Sequence, residues 1–206
     1  MDQSKKECIL SAAAKVFSRF GLKKSSVDEI AKDAGVAKGT IYLAAESKED
    51  LFYQAVHREV RNWTGELSKL IDPRVPADEL LKRCSLASLA YLNDRPLVRD
   101  LLFGNIHHTM PEWHDRLDEL RALGRTNIDE ILRLGKRQGL FREDIDLEEV
   151  AKLILDVAIT TYLFHYRGED KETRIARRLT TAFDMMMNGL RKHAAHAHAH
   201  KKGEAA

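Results

Sequence analysis

Residues 25–52 read SSVDEIAKDAGVAKGTIYLAAESKEDLF, and this stretch decides the architecture. Val27, Ile30, Ala31 and Ala34 fall at i, i+3, i+4 and i+7, one face of a short helix. Ser26 and Glu29 stand at capping-box spacing at its start, and Gly35 follows its end. After Val36 and Ala37 a second short segment runs from Lys38 to about Leu43. Ser47 and Asp50 repeat the cap spacing and open a long helix with Leu51, Phe52, Ala55, Val56, Val60, Trp63 and Leu67 on its inner face. Two short helices joined by a tight glycine turn have the layout of a helix-turn-helix, spanning about 26–45. Ala31 must be small where the helices cross, Gly35 permits a positive φ, and Val36 and Ile41 fill the core beneath.

Outward from this motif the apolar spacing stays helical. Ile9, Ala13, Val16, Phe17 and Phe20 form the stripe of an upstream helix that Gly21 stops. Beyond Pro73 the pattern predicts helices at about 76–93, 96–109, 111–138, 147–166 and 171–192, with Asp146 as an N-cap. The expected fold is all-α: an N-terminal three-helix helix-turn-helix domain over 1–50, then a C-terminal helical bundle over 51–192. A disordered His-rich tail is expected over 193–206.

Composition narrows the class. The 206 residues are 44% hydrophobic and 32% charged, as in folded soluble proteins, with a formal charge of only +2. The charge is uneven: residues 1–48 carry a net +3 and the rest about −1, a basic front end on a neutral body. Cys8 and Cys84 are too few and too far apart for a disulfide framework or a zinc site. The first residues lack a signal-peptide run, and Leu153–Phe164, interrupted by Asp156, is too short to span a bilayer. A cytoplasmic protein with no membrane partner is the expectation.

The front of the second short helix is free to face a DNA major groove. There Ala37, Lys38, Gly39 and Thr40 meet base edges, followed by Tyr42 and Leu43. Lys38 offers charge, Thr40 a hydroxyl and methyl, and Gly39 room for close approach. Ser25 and Ser26 lie at a helix N-terminus, where hydroxyls and free N–H groups suit phosphate.

The run Val27–Tyr42, the following SKEDLF of residues 47–52 and the spacing to the upstream helix resemble the TetR (tetracycline-repressor) family over about residues 5–55. The GLFREDID segment at 139–146 resembles the link that often precedes that family's dimerisation helices. The resemblance implies a DNA-binding homodimer: a transcriptional regulator, most often a repressor, on a palindromic operator, released by a small-molecule effector. It carries phosphate contacts to Ser26, Tyr42 and Lys48. Where the family usually has an aromatic pair after the tyrosine, this chain has Ala44-Ala45, which removes one phosphate contact and shrinks the small core.

Two C-terminal helices are apolar on more than one face and so are buried on two sides. In the resembled family the last two helices pair with their symmetry mates, which makes Leu155, Ile159, Leu163, Leu179, Phe183 and Met186 the expected dimer interface. Cys84, Tyr91, Phe103, His107, Trp113, Leu117, Tyr162 and His165 are candidates for the pocket of an effector of unknown identity. His107, His108 and His114 lack metal-ligand spacing, and the tail histidines suit at most weak Zn²⁺ or Ni²⁺ retention, so no metal and no cofactor are expected. No nucleophile elbow or phosphate-binding glycine loop is present, which leaves an enzyme unsupported, while a helical adaptor that binds protein alone stays open.

Overall fold

In the computed structural model, residues 2–103, 113–166 and 172–192 are described, with only the backbone of residues 100–103, 114, 166, 172 and 173. These contain nine helices and no β-strand. They are α1 (Gln3–Lys24), α2 (Val27–Asp33), α3 (Lys38–Tyr42), α4 (Lys48–Ser68), α5 (Ala77–Asn93), α6 (Pro96–Phe103), α7 (His114–Arg137), α8 (Leu147–Tyr166) and α9 (Glu172–Leu190). None of the described helices is long and apolar enough to cross a membrane.

The local signals act as their chemistry requires. Ser26 Oγ accepts from Glu29 N–H at 3.2 Å while a Glu29 carboxylate oxygen accepts from Ser26 N–H at 3.0 Å, so two orphan donors at the start of α2 are satisfied reciprocally. Ser47 accepts from Asp50 N–H at 3.0 Å, and Asp50 accepts in return from Glu46 N–H at 3.1 Å. Asp146 accepts from Glu148 N–H at 2.9 Å and caps α8. Gly21 breaks α1 with φ 70°, and Gly35 makes the α2–α3 turn with φ 65°, where Val36 N–H reaches back to Ala31 O at 3.0 Å.

The first three helices enclose a small core of Ile9, Ala13, Phe17, Ile30, Ala31 and Ile41, floored by Leu51, Phe52 and Ala55 of α4. Ala45 is buried there, and Gln54 Nε2 donates to Ala44 O at 3.1 Å beside it. Phe20 departs from the expected inner stripe. The chain turns away at Gly21, so its ring is exposed, with the Arg19 guanidinium 5.0 Å from its centroid.

Helix α4 joins head to body, packing on α1 at one end and on α5 and α7 at the other. Helices α5, α7, α8 and α9 complete the bundle. Two devices fasten its far end. Gln138, at the C-cap of α7, accepts from Ala77 N–H at 3.0 Å and donates to Pro73 O and Val75 O at 3.0 and 2.9 Å, so one side chain holds the α4–α5 loop and starts α5. Phe141, fully buried, lies where a side chain on Gly135 would be, and short backbone bonds tie Arg142 N–H to Leu190 O and Lys192 N–H to Leu140 O.

Candidate nucleic-acid interface and bundle cavity

Helix α3 buries one side chain in the head, Ile41. The rest of it faces outward: Ala37, Lys38 and Gly39 are exposed, Thr40 is half-buried, Tyr42 is 52% exposed and Leu43 77%. A methyl at Gly39 would meet no heavy atom within 4 Å, so nothing inside the protein demands a glycine there. Lys38 Nζ donates to Asp28 at 2.9 Å, an exposed pair that holds the lysine in its charged form through that hydrogen bond.

The two serines and Lys48 are differently engaged. Ser25 is buried, its hydroxyl donating to Leu22 O at 2.9 Å, so it shapes the α1–α2 corner and offers no hydroxyl outward. Ser26 closes the capping box with Glu29 at the start of α2. Lys48 Nζ donates to Ser25 O at 3.3 Å and ties the start of α4 to that corner. Lys23 and Lys24 are exposed in the last turn of α1, just before Ser26 and the start of α2.

An aromatic chain runs from head to body: Phe17 meets Phe52 edge-on at 5.0 Å, Phe52 meets Trp113 at 5.5 Å, and Arg116 lies 4.6 Å over Tyr53. Charges brace the same junction. Arg58 of α4 donates to Glu7 of α1 at 2.6 Å and to the buried Glu59 at 2.7 Å, and Tyr53 donates to Glu119 of α7. Burial and that hydrogen bond push the Tyr53 phenol well above its usual range.

Inside the bundle, α4, α5, α7, α8 and α9 enclose a slender cavity of about 60 Å³ with an almost wholly apolar wall. Val60, Trp63 and Leu67 of α4 face Leu81 and Cys84 of α5, Gly124 and Asn127 of α7, and Leu155, Ala158 and Tyr162 of α8. Of the residues put forward from sequence, Cys84 and Tyr162 line this space. Trp113 sits instead in the head–body junction, Leu117 is ordinary core, Tyr91 is covered by the Arg95 guanidinium at 5.1 Å, and His165 lies off the cavity wall. His107 and the side chain of Phe103 lie outside the described residues, as does the 193–206 tail. Burial raises the Cys84 thiol to about 11, which keeps it protonated. The contribution of α4 was not foreseen, because Trp63 and Leu67 read equally well as plain core.

The expected interface residues divide. Leu155, Leu179 and Phe183 are buried within the single chain, and Leu155 and Ile159 face the cavity, while Leu163 and Met186 are half-buried. The apolar residues of α8 and α9 that stand in solvent are Leu153, Phe164 and Met185, exposed by 55%, 38% and 72%.

Comparison with known proteins agrees with this geometry. The family model for bacterial regulatory proteins of the tetR family matches residues 9–55. YdgC of Bacillus subtilis, an HTH-type transcriptional regulator, is 30% identical over 154 residues, covering 71% of this chain and 73% of its own. The fatty acid metabolism regulator protein of the same organism is 25% identical over 190 residues, 88% of this chain and 93% of that one. Among solved structures, the transcriptional regulator FadR of Bacillus subtilis in complex with stearoyl-CoA superposes with a TM-score of 0.72 at 21% identity, over 89% of this chain and 98% of that chain.

Proposed function

Since this chain belongs to the tetR family of bacterial transcriptional regulators, we propose that it is a homodimeric repressor that lays α3 in the major groove of a palindromic operator and leaves it when an effector fills the bundle. Ala37, Lys38, Gly39, Thr40 and Leu43 read base edges, and Ser26, Tyr42 and Lys48 contact phosphates; Ser25 acts by holding the corner beneath them. The domain division follows the same reading, with 1–50 as the DNA-binding head and 51–192 as the effector and dimer body.

The observation that carries the reading is the outer surface of α3. A five-residue helix that buries one side chain and turns Tyr42 and Leu43 to solvent gains little for the fold, and exposed apolar groups of this size mark contact surfaces. Dimerisation falls to the face of α8 and α9 that bears Leu153, Phe164 and Met185. The two heads then sit one helical turn apart, roughly 34–36 Å, to meet successive half-sites.

For the effector, the apolar wall suits a hydrocarbon chain, and the fold shared with a stearoyl-CoA-bound regulator points to a long-chain acyl compound. Its volume exceeds the present space, so the state that binds it is one in which the bundle is spread and α4 displaced. The ligand shifts the population toward that state only by its preference for it.

Fluorescence anisotropy with labelled DNA from upstream of the protein's own gene tests the reading. Saturable binding at low salt, reversed by a long-chain acyl-CoA, is expected; absence of binding at low salt, where phosphate contacts are strongest, refutes it.

A further inference from the structure

Trp63 lies in the cavity wall and is only 5% exposed. Its indole N–H has no acceptor among the described residues. Buried tryptophans usually give this hydrogen to a partner, and leaving it unpaired costs free energy. The polar hydrogens of the neighbouring wall residues are directed elsewhere: Ser88 Oγ–H to Cys84 O at 2.7 Å, the Tyr162 hydroxyl to Ser85 O at 2.8 Å, and Asn127 Nδ2 to Thr64 O at 2.8 Å. The cavity wall is thus almost wholly hydrocarbon, and one of its residues, Trp63, carries a buried donor without an acceptor among the described residues. The ring packs beside Gly124 of α7, where a Cβ would stand 3.5 Å from Trp63 Cζ3.

Water fits poorly here, because a buried water needs two to four polar partners and the wall supplies almost none. A ligand oxygen fits well. The group best matched to a lone N–H is a neutral carbonyl, which accepts one hydrogen bond and brings neither a charge nor a donor needing its own partner.

We infer that the effector is an acyl ester or thioester whose carbonyl oxygen enters the cavity wall and accepts a hydrogen bond from Trp63 Nε1, making Trp63 the residue that distinguishes an acyl chain from a plain hydrocarbon. This rests on the cavity being the effector site, as proposed above.

The test compares methyl laurate with tridecane, a pair of similar length, on the full chain and on Trp63→Phe. Both ligands raise the melting temperature of the parent protein. Trp63→Phe lowers the ester-to-alkane affinity ratio about ten-fold, the worth of one hydrogen bond, and leaves tridecane binding unchanged. In the ¹⁵N-labelled protein, which has two tryptophans, only the ester moves the Trp63 indole proton downfield. This signal decides the matter even if Trp63→Phe does not fold. An unmoved indole resonance with the ester bound, or an unchanged affinity ratio in Trp63→Phe, overturns the inference while the cavity reading stands. If neither ligand binds the parent chain, the cavity reading falls and the inference with it.

Discussion

Gly39→Ala separates what the fold needs from what DNA needs. In the folded head the added methyl meets no heavy atom within 4 Å, so it introduces no clash. Alanine is the better helix former, by about 1 kcal/mol in a helix interior and about half that near the start of a short helix such as α3. The substituted protein should therefore be slightly more stable, with a melting temperature higher by about 1–2 °C for a chain of this size. On DNA the sign reverses. The methyl projects from the surface proposed to approach the duplex, and displacing one base contact costs about 1–3 kcal/mol, roughly 5- to 150-fold in affinity. Gly65→Ala is the control: it is equally open, but on α4 away from that surface, and should raise stability with no change in affinity. Thermal melts and anisotropy titrations at one fixed salt concentration measure both quantities. Unchanged DNA affinity in Gly39→Ala, or an equal loss in Gly65→Ala, would refute the assignment of α3 as the reading surface.

Three further substitutions probe the body. Gly135→Ala drives a methyl into the buried Phe141 ring and should cost about 1–3 kcal/mol in urea unfolding, with Phe141→Leu in the same chain recovering part of the loss. Gln138→Ala removes three hydrogen bonds at the α7 C-cap and should cost about 2–3 kcal/mol, chiefly by loosening the loop before α5; hydrogen exchange fastest at Ala77 would report it. Asp78 answers to pH. Burial alone would raise its carboxyl, but the hydrogen bond and positive charge of Arg191, together with backbone N–H groups, outweigh this and hold it below the usual carboxylate range. Stability from this pair is therefore present above about pH 4 and lost as acid protonates the folded-state carboxyl, so Asp78→Asn should flatten the acid limb of a melting-temperature-against-pH curve and leave its slope above pH 5 unchanged.

Much of this was legible locally. Ser26 with Glu29, Ser47 with Asp50, and Asp146 announce helix starts because a cap is satisfied within three residues of itself, and Gly21 and Gly35 announce ends because a positive φ is a property of one residue. Exposure of Tyr42 and Leu43 follows from the same short motif. What escaped depends on contacts between distant segments. A helix apolar on two faces does not say which face turns inward, so Leu179 and Phe183 were expected at an interface and are core, while Met185 beside them is in solvent. Trp113 looked like a pocket aromatic but meets Phe52, sixty-one positions earlier, a contact no periodicity encodes.

The placement of α4 also bears on how such a protein can change over generations. Its first turns floor the head through Leu51 and Phe52, and Trp63, about 17 Å farther along at 1.5 Å per residue, stands in the cavity wall. On the proposed reading, chemical sense and genomic address are thus written along one stiff rod. A substitution on α4 that admits a new ligand will tend to retune the address as well. Variation at Leu81, Ala158 or Phe183 does not carry that penalty, because those residues border the same space from helices that do not floor the head. A lineage acquiring new effectors while keeping its operator should accumulate its differences on those helices.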